Sequence, residues 1–298
     1  MKITLRIALS VLIAGILLMS LGTAMGAKKY IYFENGRVQV SEPKEEKKIS
    51  EILEPFSDIE VDILSSDIEF ITTENEFKIE ILNNERFDWK NKDDTLKIKE
   101  LPGFGNNFTI DLRFLFYRER DDNLKIYIPK DTNFDDVRVV NKSGDISIGN
   151  FTADEVRIKN MSGDIDIEYI NAEKITIDNI SGDLEAIMIS AEKCEVKLVS
   201  GDIEMENVVF ERFTAGNTSG NISVTGNLNK SEFKLVSGDI DLKLSGKYED
   251  YSTNVNNKSG DLYINGKRSR DFESSPSKAR KSIEVNIISG DTKLSFDD

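Results

Sequence analysis

Histidine is absent from the 298 residues, and cysteine occurs once, as Cys194. The usual nucleophile–base pairs and the imidazole and thiolate metal sites are therefore missing. The polar chemistry that remains is repetitive. Ser-Gly-Asp or its close variant stands at Ser143-Gly144-Asp145, Ser162-Gly163-Asp164, Ser181-Gly182-Asp183, Ser200-Gly201-Asp202 and Ser219-Gly220-Asn221, each 19 residues after the last. Ser237-Gly238-Asp239 follows after 18, Ser259-Gly260-Asp261 after 22 and Ser289-Gly290-Asp291 after 30. A Ser-Lys pair could attack a carbonyl, but eight serines in one setting, none uniquely equipped, read as architecture. The expectation is a non-enzymatic chain without a cofactor.

Two charged groupings could still bind something. Asp145, Asp164, Asp183 and Asp202, stacked about 5 Å apart, would repel by roughly 0.8 kcal/mol per pair in water. Hydrogen bonds from turn amides offset that in the plainer reading; divalent cations held along the row are the alternative, although Asn221 interrupts it. The second grouping is Lys267, Arg268, Arg270, Lys278, Arg280 and Lys281, opposed by Asp271 and Glu273, in a chain of net charge −15. It falls where the repeat spacing jumps, and reads as a basic loop, 267–281, thrown out between rungs. Anionic cell-wall polymer, lipid head groups or another envelope protein are the partners it suits. Nucleic acid is not expected of so acidic a chain. Gly266-Lys267 fails as a phosphate loop, since Gly260 is one residue too far back and Arg268 stands where Ser or Thr is needed.

These groups need a scaffold that brings each repeat to the same place. Val137, Val156, Ile175, Cys194 and Phe213 form one apolar column, and Val139, Ile158, Ile177, Val196 and Ala215 another; Ile146, Ile165, Leu184, Ile203 and Ile222 follow each corner. Polar residues alternate with them, so each repeat holds two strands around its Ser-Gly. Cys194 is expected in the core. A further inward column holds Asn141, Asn160, Asn179, Asn217 and Asn257, with Leu198, Leu235 and Ile287 in the remaining repeats. Buried amides must be paired, and stacking about 4.8 Å apart lets them bond one another and the turn backbone. That favours an all-β, parallel β-solenoid over a hairpin meander. Gly144, Gly163, Gly182, Gly201, Gly220 and Gly238 would be its structural corners, each Asp bonding within its own turn. Phe151, Ile170, Ile189 and Val208 hint at a short third side.

The rest of the chain divides as follows. Residues 1–27 run uncharged from Ile7 to Ala27, long enough for one transmembrane helix acting as a signal-anchor; cleavage near residues 24–26, with secretion, is the alternative. Residues 28–56 read as a juxtamembrane stalk with a small hairpin turned at Asn35-Gly36. Residues 57–136 read as degenerate N-terminal rungs, including a strand at Ile110–Phe116. Asp67 precedes Asp145 by 78 residues, about four repeat lengths. Residues 137–298 form the regular solenoid.

The strand Leu124-Lys125-Ile126-Tyr127-Ile128-Pro129, then Asp136-Val137-Arg138-Val139 leading into Ser143-Gly144-Asp145-Ile146, together with the hydrophobic N-terminus, resemble the bacterial putative-adhesin family. These are membrane-anchored β-strand-repeat proteins of unknown function that include the LiaG-type component of a cell-envelope stress system. The resemblance covers roughly Phe56 to Asp298. It implies a β-solenoid on the outer face of a cell membrane, single-pass with its bulk extracytoplasmic, and brings no catalytic residues. The expected function is a non-enzymatic binding or envelope-sensing module. The alternatives are a structural adhesin or spacer without a specific ligand, and, further off, a cation-binding repeat or an enzyme.

Overall fold

The computed structural model describes residue 15 and residues 30–34, 37–41, 48–82, 86–101, 109–111, 123–269, 272–274, 276 and 279–297. The expected anchor, 1–27, lies outside the described residues apart from Gly15. Among the described residues no helix is long and apolar enough to cross a membrane. The chain forms two units, one of residues 1–47 and 103–121, the other of residues 48–102 and 122–298. In the smaller, Tyr30–Glu34 pairs antiparallel with Arg37–Ser41 and with Thr109–Asp111. The two strands expected on either side of Asn35-Gly36 therefore pair, while Asn35 and Gly36 themselves lie outside the described residues. Thr109–Asp111 completes this sheet and is not a solenoid rung; residues 112–116 lie outside the described residues.

In the larger unit the repeats stack in parallel and in register: Ile146–Asn160 lies on Ile165–Ser181, Cys194 pairs with Phe213, and Ser200 with Ser219. Each rung is three-sided. Between Ile146–Asn160 and the next rung the pairing lapses at Asn150 and Asp154, where the alternation of buried and exposed residues also breaks. The sides are thus 146–149, 151–153 and 155–160. Asn150, Tyr169, Met188 and Asn207 turn the second corner with φ of 55–63°, a region bulky side chains seldom occupy. The inward columns fill the interior, with Phe134, Phe210, Phe213, Phe233 and Tyr251 among the largest buried side chains. Cys194 is buried among them, and burial pushes its thiol up, so it is inert.

Both ends depart from sequential stacking. Asp67–Thr73 pairs in parallel with Asn123–Pro129 and with Ile146 and Ser147, so Asp67 and Asp145 occupy adjacent rungs. The stretch between them is therefore not four successive rungs; its last part, Thr132–Asn141, is the side before the Ser143 corner. Within it Lys78–Ile81 runs antiparallel to Asn123–Pro129 and to Ile49–Ile52, and Phe87–Lys92 antiparallel to Thr95–Glu100. Ile49–Ile52, read as stalk, is an edge strand of the main sheet.

At the other end the rung of Lys281–Ser289 pairs with the strand Ile222–Ser237 on one side and with Tyr251–Asn257 on the other. The stacking order of the corners is therefore Ser237, Ser289, Ser259. The chain builds the outermost rung first, then returns and inserts its last rung beneath it, which is why the spacing widens to 30 residues.

Candidate binding face and the corner ladders

Glycine is required at the first corner for two reasons at once. Gly163, Gly182, Gly201 and Gly220 have φ of 123–129°, and a Cβ on any of them would lie 2.0–2.2 Å from the carbonyl oxygen of the preceding corner glycine. The amides of the inward asparagines bridge these same carbonyls. Asn160 Nδ2 donates to Gly144 O at 3.2 Å and Gly163 O at 3.0 Å, Asn179 Nδ2 to Gly163 O at 3.1 Å and Gly182 O at 3.3 Å, and Asn217 Nδ2 to Gly201 O at 2.7 Å. Asn141 Nδ2 reaches Ser66 O and Asn257 Nδ2 reaches Gly290 O. Of the two expected sets of partners, the turn backbone is the one seen: the amides bond backbone carbonyls of two successive rungs, and among the described residues they do not bond one another.

The aspartates also differ from expectation. Each carboxylate accepts the backbone N–H of the Asp in the next rung, not one of its own turn: Asp164 N to Asp145 Oδ1 at 2.9 Å, Asp183 N to Asp164 Oδ1 at 2.8 Å, Asp202 N to Asp183 Oδ1 at 2.7 Å and Asn221 N to Asp202 Oδ1 at 2.7 Å. The row extends from Asp67 through Asp239 and Asp291 to Asp261. Such charge-assisted bonds offset the repulsion along the row. Among the described residues no three acidic, cysteine or histidine side chains converge as a metal cage.

The row needs a stop at each end. At the first corner Glu100, whose side chain is fully buried, accepts Leu64 N at 2.7 Å and Ser65 N at 2.8 Å, and Arg86 pairs with it at 2.5 Å. At the last, among the described residues no further rung amide reaches Asp261, and Arg268 binds its Oδ1. Arg268 is thus part of the architecture. Lys281 is too: its Nζ donates to Asn227 Oδ1 at 2.7 Å and Ser245 O at 3.0 Å and sits 4.9 Å from the Tyr251 ring centroid. Lys267–Ser269 and Phe272–Ser274 pair antiparallel with the outermost rung, so the expected free loop is largely an end-cap. Lys267 and Arg280 are exposed; Arg270 and Lys278 lie outside the described residues.

What distinguishes one surface from another is the outward residues of the three sides. In the six rungs cornered at Ser143 to Ser237, the side before the corner carries ten Lys or Arg against five Asp or Glu, as the rows through Lys174, Arg157, Lys159 and Met161 show. The side after the corner carries six carboxylates and one lysine, in the rows through Asp166 and Glu168. Burial raises the Asp166 carboxyl, and neighbouring Asp164 and Asp145 add to it. On the basic side Lys197 is bonded to Glu195 at 2.6 Å and Lys234 to Glu232 at 2.5 Å. Directly before the corner runs an apolar row: Met161, Ile180, Val199, Val236 and Ile288 are 45–51% exposed, with Thr218 between Val199 and Val236. A groove of about 580 Å³ lies beside it, its lining including Val199, Val236 and Ile288 together with Gly216, Lys197, Lys234 and Lys258.

The family model described as Toastrack DUF4097 matches residues 56–295. The chain belongs to the Toastrack DUF4097 family. Solved structures with a similar fold include a protein described as a putative adhesin from Bacteroides fragilis, 16% identical, covering 85% of this chain and 98% of that one with a TM-score of 0.51. Another from Parabacteroides distasonis, also described as a putative adhesin, is 13% identical, covers 85% and 98%, and has a TM-score of 0.47. No curated protein matches the chain. In this Toastrack chain the exposed apolar row escaped sequence reading because one aliphatic residue per 19 looks like scatter. Reading the residue before each corner serine as a column would have found it.

Proposed function

We propose that this Toastrack protein is a non-enzymatic binding or envelope-sensing module, tethered by residues 1–27 as a single-pass anchor with its bulk on the extracytoplasmic side. The observation that carries the reading is that the prism is filled. Its inward columns are packed side chains, and its corner polar groups bond from rung to rung. A filled prism presents ligands with an outer surface, and rigid repeat scaffolds commonly bind through such faces. The uncharged run Ile7–Ala27 supplies the tether.

Protease shaving of intact cells tests the topology. It is expected to release a fragment beginning near Lys44 while residues 1–27 stay in the membrane fraction. A mature protein beginning at Met25 or Ala27, recovered from the medium, contradicts the tether. A panel of soluble cell-wall fragments presented to the full-length protein then separates a binder from a spacer: a spacer retains none of them.

A further inference from the structure

We propose that the side before the Ser-Gly corners is a membrane-contact face that lies along an anionic lipid bilayer, its apolar row seated among the head groups and its lysines on the phosphates. This deepens the binding reading above by naming the partner, and it does not depend on the anchor.

Three observations converge on it. The apolar row is in register: Met161, Ile180, Val199, Val236 and Ile288, with Thr218 as its one polar member, occupy successive rungs, a line about 24 Å long at about 4.8 Å per rung. Large apolar side chains left half exposed in register are unlike the single scattered ones any surface carries.

The charge beside the row has the sign an anionic surface requires. Lys142 and Lys258 close its ends, and Lys159, Lys197 and Lys234 flank it, paired with Asp178, Glu195 and Glu232, carboxylates that a lipid phosphate would have to share or displace. In a chain of −15, a side with ten cations against five carboxylates is a local reversal of field. Basic residues beside apolar ones are the composition of an interfacial surface, each Lys or Arg near an anionic leaflet adding to its attraction. The Asp row lies on the far side of the corner, its carboxylates already accepting amide protons.

Gly216 is the third. Unlike the corner glycines it has no positive φ, and a Cβ there would meet nothing within 4 Å. Glycine inside a strand weakens it, so neither backbone nor packing explains it. Its effect is to open the notch between Lys197 and Lys234, where a head group or acyl carbon can reach the sheet. A second copy of the chain suits the face less well: a two-fold contact would set this basic side against itself.

The test uses full-length protein carrying a polarity-sensitive fluorophore on Val199→Cys, with Glu204→Cys on the acidic side as control, mixed with vesicles of phosphatidylcholine alone or with phosphatidylglycerol. Expected is blue-shifted emission at position 199 with phosphatidylglycerol vesicles only, no shift at 204, and loss of the shift in about 0.5 M salt and in the Lys197→Glu/Lys234→Glu/Lys258→Glu variant. Vesicle-bound protein without a shift at 199, an equal shift at 204, or a shift that follows protein concentration without vesicles overturns the face. The first of these leaves the anchor standing. Conversely, if the triple reversal removes vesicle association altogether, the face holds and the anchor at 1–27 fails.

Discussion

Asn179 shows how one side chain holds two rungs. Its Nδ2 bonds Gly163 O and Gly182 O, and the next rung offers no amide because Leu198 stands in the column. Asn179→Ala therefore leaves Gly182 O without its donor, while Gly163 O keeps Asn160. A loss of about 1–3 kcal/mol is expected in denaturant unfolding, and an unchanged midpoint would mean that these amides are not structural. Glu80 provides a pH signature. Hydrogen bonds from Lys78 and Lys48, at 2.7 and 2.9 Å, lower its carboxyl from near 4.5 to about 2. A depressed carboxyl stabilises the fold above its unfolded value and loses that contribution as pH falls through the folded one. Between about pH 4.5 and 2 the stability advantage of wild type over Glu80→Gln should therefore shrink, and a difference that does not change with pH would refute the pairing. The gain is modest, because the pair is partly solvated.

Strands and corners were largely legible from sequence because period-2 alternation and the Ser-Gly-Asp phrase are local signals. Val156, Ile175, Cys194 and Phe213 fall in one buried column as their spacing requires. The order of rungs was not legible. Every corner presents the same glycine carbonyl and Asp carboxylate to its neighbour, so periodicity fits Ser259 or Ser289 stacked on Ser237 equally well. The choice is made by longer-range contacts, such as Lys281 reaching Asn227 and Ser245. The Glu100 stop, 35 residues from Ser65 in sequence, likewise carries no local signature. Cysteine pairing tests the order. Glu232 lies beside Glu284, and Glu284 beside Asn254. Glu232→Cys/Glu284→Cys should form a disulfide on mild oxidation, whereas Glu232→Cys/Asn254→Cys, two rungs apart, should not, since bridged Cα atoms lie within about 7 Å. The reverse pattern would restore sequential stacking.

At the scale of the molecule, a filled three-sided prism leaves its work to its sides, and those sides differ in charge. One carries the apolar row and an excess of cations, the next carries carboxylates, and the two meet at the Ser-Gly corner. Net charge alone pointed away from nucleic acid, and it hides the basic side because it averages over both. The most direct measurement walks single spin labels from Glu195 to Glu206 through the corner at Ser200, in full-length protein on phosphatidylglycerol vesicles. Cys194, buried and with its thiol pushed up, does not compete for the label. The expected result is that vesicles shield labels at Lys197 and Val199 from a water-soluble relaxation agent and leave those at Glu204 and Glu206 open to it. Equal shielding on both sides of the corner, or none at Lys197 and Val199, would contradict a protein that binds through one side of its prism.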